Sequence, residues 1–163
     1  EKMMSKKVIG IIIAVIVLIV AIVAVVLMKN ATPKNVEGTL EEIMTKLYVG
    51  INQDNLPMML SNMEISKESL ENFVGTSEID MKEAMVSESG VGSIAHSVVL
   101  IRLNDASKAN DAVTKIKEHA NPRKWICVEA SNVVVKSKGD LVVLIMSNEE
   151  LAPKLETNFD GLV

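Results

Sequence analysis

Apolar residues run without interruption from Val8 to Met28, VIGIIIAVIVLIVAIVAVVLM, between Lys6-Lys7 and Lys29. At 1.5 Å per residue, about 20 apolar residues match the hydrocarbon thickness of a bilayer. The run predicts a single transmembrane helix over residues 8–28. A cleaved signal peptide has a shorter apolar core and a small-x-small site behind it. Here Met28-Lys29-Asn30-Ala31 follows, a poor cleavage site.

After a polar linker over residues 29–35, the pattern becomes that of a folded domain. Leu40, Ile43, Met44, Leu47 and Ile51 recur at helical spacing, and Thr39-x-x-Glu42 fits a capping box, which predicts a helix from about Leu40 to Gly50. Leu56 to Leu60 reads as an apolar turn. A second helix is expected over Lys67–Val74, capped by Ser66 and ended by Gly75. The period then changes to two. Met81–Glu88 reads as a weak strand, Gly90–Ser93 as a turn, and His96–Leu103 as a strand nearly apolar on both faces. Asp105 or Ser107 caps a helix to about Ala120, which Pro122 prevents from extending. Val133–Val135 and Leu141–Met146 predict a hairpin across Lys136–Asp140. Ser147-x-x-Glu150 opens a last helix, whose regular part is expected nearer Ala152 because of Pro153.

The predicted order is α-α-β-β-α-β-β-α. It suggests an α+β domain over residues 36–163, an antiparallel sheet of about four strands with helices on one face.

Charge orients this layout. The first 34 residues hold five lysines and only Glu1, and the rest holds 12 basic and 20 acidic residues, a net charge of −8. Lys2, Lys6 and Lys7 precede the apolar run, while Lys29 and Lys34 follow it. The positive-inside rule then puts residues 1–7 in the cytoplasm as a short tail and the acidic domain outside the cell membrane, the signal-anchor arrangement. An acidic domain is repelled by nucleic acid. With only Tyr48, Phe73, Trp125 and Phe159 as aromatic residues, it also lacks a base-stacking platform. The expected partners are the lipid bilayer and another transmembrane helix or envelope protein. For helix pairing the candidates are Gly10, Ala14, Val17, Ala21 and Ala24, which fall within an arc of roughly 80° at helical spacing.

Residues that carry chemistry are few. Cys127, the only cysteine, lies in the apolar string Trp125-Ile126-Cys127-Val128 and is expected to be buried and inert. His96 and His119 have no Cys or carboxylate at ligand spacing, so neither a metal site nor a cofactor is expected. Ser93 or Ser97 could pair with His96 as in a hydrolase, but no Gly-x-Ser-x-Gly elbow is present. A pocket holding His96, Ser97 and a carboxylate within hydrogen-bond reach would favour an enzyme. Gly90-Val91-Gly92-Ser93 lacks the third glycine of a dinucleotide motif. Arg123, Lys124 and Trp125 are the candidate binding surface, suited to an anionic or carbohydrate ligand. Their other reading is structural, with Trp125 covering a sheet edge and Arg123 paired to an acidic neighbour.

Lys46-Leu47-Tyr48, Phe73-Val74-Gly75-Thr76, Ser93-Ile94-Ala95-His96-Ser97 and above all Pro122-Arg123-Lys124-Trp125-Ile126-Cys127-Val128-Glu129 carry a resemblance. The chain resembles a domain-of-unknown-function family of small membrane-anchored proteins and lipoproteins in Gram-positive anaerobes. It departs from the lipoprotein members in having no cysteine after the apolar run. The resemblance implies an extracytoplasmic envelope role and transfers no activity. The leading expectation is a non-catalytic binding or scaffolding domain. The alternative is an accessory subunit or enzyme in cell-surface polymer modification of the O-acylation type.

Overall fold

Ser97–Leu103 and Leu141–Ser147 are buried at every position. A strand with two dry faces must be covered on both, and these two strands pair at the middle of a sheet. The computed structural model describes the backbone of residues 6–29 and 34–163, and the side chains of residues 12–23 and 34–163. The chain divides into two compact units, Glu1–Thr32 and Pro33–Val163.

The first unit contains one α-helix, α1 (Lys6–Lys29). Residues 12–23 are exposed along it. Among the described residues, no helix is long and apolar enough to cross a membrane. The structure therefore does not support the span expected over residues 8–28, which stands on the sequence.

The second unit runs through α2 (Leu40–Leu47), β1 (Leu60–Glu64), α3 (Leu70–Val74), β2 (Met81–Ser89), β3 (Ser97–Leu103), α4 (Ala109–His119), β4 (Asn132–Lys138), β5 (Leu141–Ser147) and α5 (Leu151–Asp160). The strands form one antiparallel sheet in the order β1-β2-β3-β5-β4. The mixed α+β class and the antiparallel sheet agree with the expectation, but two details do not.

The sheet has five strands rather than about four. The additional one is β1, an edge strand in which only Leu60 is even partly buried. With one side of its backbone unpaired and its side chains in solvent, it has no apolar alternation to betray it. The helices also cover both faces rather than one. Val99, Ile101, Val142 and Leu144 pack with Leu70, Val74 and Ile116 of α3 and α4. Val98, Leu100, Val143 and Ile145 pack with Met44, Leu47, Leu155 and Phe159 of α2 and α5.

Local signals explain most boundaries. The Thr39–Glu42 capping box forms as expected. Gly75 ends α3 at φ +83°, and a Cβ there would lie 2.0 Å from the His119 carbonyl oxygen. The first turn of α5 is capped by Asn148, whose side chain accepts from the Glu150 and Leu151 amides. Ser147, expected in that role, turns into the fold instead.

Arg102 ties the far end of the sheet together. Its side chain, 8% exposed, donates from Nε to Glu83 at 2.8 Å and from Nη1 to both Asp140 oxygens. It also donates to the Val36 and Gly38 carbonyls, at 2.9 and 2.7 Å. Burial works against the charge, but the Asp140 and Glu83 hydrogen bonds outweigh it and raise the guanidinium above its ordinary range. Lys34 and Asn35, expected as linker, lie against the hairpin turn, where a Cβ on Gly139 would meet the Lys34 carbonyl oxygen at 2.6 Å. Removing one partner from a buried ion pair strands the other. Arg102→Ala is therefore expected to lower stability by about 3 kcal/mol, measured as a shift of the urea unfolding midpoint. A loss under about 1 kcal/mol would show that Asp140 does not depend on Arg102.

Candidate functional site

The opposite end of the sheet carries its neutral polar groups. His96 lies one residue before β3 and is 1% exposed. Successive strand residues alternate between faces, so His96 falls on the side of Val98 and Leu100, under α2. There its Nε2 is hydrogen-bonded to the Tyr48 hydroxyl at 2.8 Å, and its Nδ1 to the Ser147 hydroxyl at 2.9 Å. Tyr48 is the C-cap of α2 and Ser147 ends β5. One imidazole therefore joins a helix end to the far side of the central strand pair. None of its hydrogen-bond partners is a carboxylate. Burial pushes its pKa down to about 4 and pushes the Tyr48 phenol well up. The network is uncharged at neutral pH.

Ser87, on β2, belongs to the same face. It is fully buried, and among the described residues none meets its hydroxyl in strict hydrogen-bond geometry. The Tyr48 hydroxyl lies beside it, and hydrogen bonding with Ser87 partly offsets the burial that raises the phenol. Ser87 pairs across the ladder with Asn62, and the neighbouring pair of this face is Leu60 with Ser89. Between α2 and these strands lies a cleft of about 580 Å³, with Met44, Tyr48, Leu56, Leu60 and Ser87 among its walls. Its one charged wall residue, Glu41, accepts from the Asn62 amide at 3.2 Å.

The other face at this end holds a charged cluster. Lys124 Nζ donates to Glu88 at 2.8 Å and to the Ser97 hydroxyl at 3.1 Å, and sits 5.2 Å from the ring centres of both Phe73 and Trp125. Ser97 and His96 are adjacent in sequence and so fall on opposite faces. The hydrolase pairing of Ser97 with His96 does not form, and Ser97 is out of solvent reach.

The candidate binding surface is divided. Lys124 points inward, and Trp125 packs against the α3–α4 core. Arg123 points outward and pairs with Glu129 at 2.8 Å. These are the structural roles weighed against a ligand surface. Cys127 is exposed rather than buried, at φ +61° in an irregular loop beside an exposed Ile126. Only Trp125 of that apolar string packs on the core, because no strand forms there to bring the others down. On α1, Ala14, Val17 and Ala21 are exposed, while the side chains of Gly10 and Ala24 lie outside the described residues. His119 hydrogen-bonds the Lys115 carbonyl at 2.8 Å. Among the described residues, no three His, Cys, Asp or Glu side chains converge as a metal site. Sequence reasoning missed Tyr48, Ser87 and Ser147. For Ser147 the available signal was a lone polar residue at the end of the apolar run Leu141–Met146, whereas Ser87 stands among Lys82, Glu83, Glu88 and Ser89 in a mixed strand and gave none.

Compared with family models, curated proteins and solved structures, the chain matches none.

Two predictions follow from the network's burial. The His96 pKa is lower in the fold than in the unfolded chain, so between about pH 6.5 and 4 the unfolded chain binds the extra proton. Stability is then full above pH 6.5 and falls as pH drops through this window, by roughly 3 kcal/mol at most. Unfolding measured across the window should show a shallower slope in His96→Gln than in the parent chain. An equal slope would mean that His96 ionises freely in the fold. Separately, a buried hydroxyl without a partner destabilises. Ser87→Ala is expected to raise the unfolding free energy by about 1 kcal/mol in urea denaturation, and a loss of that size would reveal a hidden partner.

Proposed function

We propose that the chain is a single-pass protein of the cell envelope. Its residues 8–28 anchor in the membrane, and the domain over residues 36–163 acts outside as a non-catalytic binding or scaffolding module. The uninterrupted apolar run and the lysines before it support the anchor and its orientation. The observation that carries the functional reading is the state of the polar groups at the sheet end. His96 and Ser97 are buried on opposite faces, and Lys124 is bound to Glu88, so at this sheet end no described nucleophile meets a base in an open site. The accessible feature beside them is a cleft, which supports a binding role.

Cys127 offers the test, because it is the only cysteine and is exposed. On intact protoplasts, a membrane-impermeant maleimide should label the full chain without permeabilisation, and alkaline carbonate should leave the protein in the membrane fraction. Labelling only after permeabilisation would reverse the orientation. Release by carbonate would remove the anchor.

A further inference from the structure

We infer that the outer edge of β4 pairs with the same edge of a second copy of this chain, joining two sheets into one across a two-fold axis.

A strand without a neighbour presents a row of unpaired N–H and C=O groups, and these take up another strand unless the edge is guarded. This sheet has two such edges, β1 and β4. Among the described residues, neither makes a backbone hydrogen bond on its outer side. β1 is guarded. It is five residues long, its last residue is Glu64, and its middle residue, Asn62, holds the Glu41 carboxylate. Two copies meeting at Asn62 would set two Glu41 carboxylates side by side.

β4 is not guarded. It is seven residues long and pairs with β5 without a bulge. It carries Val133-Val134-Val135, and Val133 is 43% exposed. Lysines usually protect an edge of this kind, but here they are turned along the sheet to α5. Lys136 donates to Glu156 at 3.1 Å and to Asp160 at 2.6 Å, and Lys138 donates to the Asp160 and Leu162 carbonyls. Two lysines and two carboxylates leave this edge without net charge, in a domain whose net charge is −8. Repulsion between two acidic copies is therefore weak here.

The sequence of β4 fits its own copy. Val135 belongs to the α3–α4 core and Val134 packs against the α2–α5 core, so odd and even positions take opposite faces. A two-fold axis through Val135, perpendicular to the sheet, keeps each face continuous. Val135 then meets its counterpart, Val133 meets Ser137, Val134 meets Lys136 and Asn132 meets Lys138. All of β4 is used, and no charge stands opposite a like charge. Centring the axis on Lys136 would oppose two lysines, which destabilises. Each contact off the axis occurs twice, as a closed two-fold interface requires.

The test uses the full chain with Cys127→Ser, which removes the only native thiol. One tagged copy carries Val133→Cys, and a differently tagged copy carries Ser137→Cys. They are co-expressed, and the membrane and soluble fractions are oxidised with copper phenanthroline, so the readout does not depend on the anchor. A disulfide between the two variants should be the main product. Either variant with itself should give about tenfold less, because like positions lie about 13 Å apart in this register. Val134→Lys in both copies opposes Lys136 of the second copy at two places and should cut the yield about fivefold. Should Val134→Lys not fold, Asn132→Lys opposes Lys138 in the same way. Equal yields in all combinations would mean chance collision and overturn the pairing. So would the absence of a disulfide in variants whose urea midpoint matches the parent's, or an unchanged yield with the added lysine. A main product from Ser61→Cys with Met63→Cys on β1 instead would place the interface on the other edge and overturn the proposal.

Discussion

Two strands buried on both faces, β3 and β5, are the constraint on which the rest of this domain depends. Their backbones satisfy each other across six paired positions, and their side chains need apolar cover above and below. The chain supplies it with short helices, α2 and α5 on one side and α3 and α4 on the other. Of these, α3 is only five residues long, below what a helix sustains alone in water. Packing on the strands, rather than intrinsic propensity, keeps it helical. β1 and β4 are then the edges, and their partial exposure follows from position.

The same pair sorts the polar groups by end and by face. At the hairpin end Arg102 is charged and engaged with two carboxylates and two carbonyls, so its burial is compensated bond by bond. At the other end the α2 face is kept neutral, since a proton on His96 would be buried with no carboxylate among its partners. The opposite face tolerates a charge because Glu88 meets it. In each of these three clusters polar demand is matched internally. Ser87 is the exception among the described residues, its hydroxyl buried on the α2 face outside strict hydrogen-bond geometry.

Local features were readable in the residues because local physics decides them. The Thr39–Glu42 box, the glycine stop at Gly75 and the two-sided strand from Ser97 to Leu103 need no knowledge of the rest of the chain. HSVVLIRL even contained the answer that the layer count missed, because a strand apolar on both faces excludes helices on one side only. Tertiary choices were not readable. β1 exists because β2 offers it an edge. Cys127 is exposed because its apolar string follows an irregular path. Ser147, with the spacing of a helix cap, is taken by a histidine 51 residues away. The candidate site was hidden for the same reason. Its members come from α2, β2, the start of β3 and the end of β5, and only strand register brings them together.

Register also decides what chemistry this sheet end performs. Ser-His catalysis requires both side chains on one side of a surface, with the serine open to substrate. Adjacent positions at the start of β3 cannot meet that demand while the strand stays extended. A bulge before His96 would be needed to bring it round, and the β2–β3 ladder places its one irregularity at the far end, between Met81 and Glu83. What the alternation does allow is a division of labour through the thickness of one strand. Lys124 and Glu88 close the face beneath α3 and α4, leaving Tyr48 and Ser87 to border an open cleft on the other. A partner approaching this end would therefore meet a neutral hydrogen-bonding wall from one side and a sealed ion pair from the other.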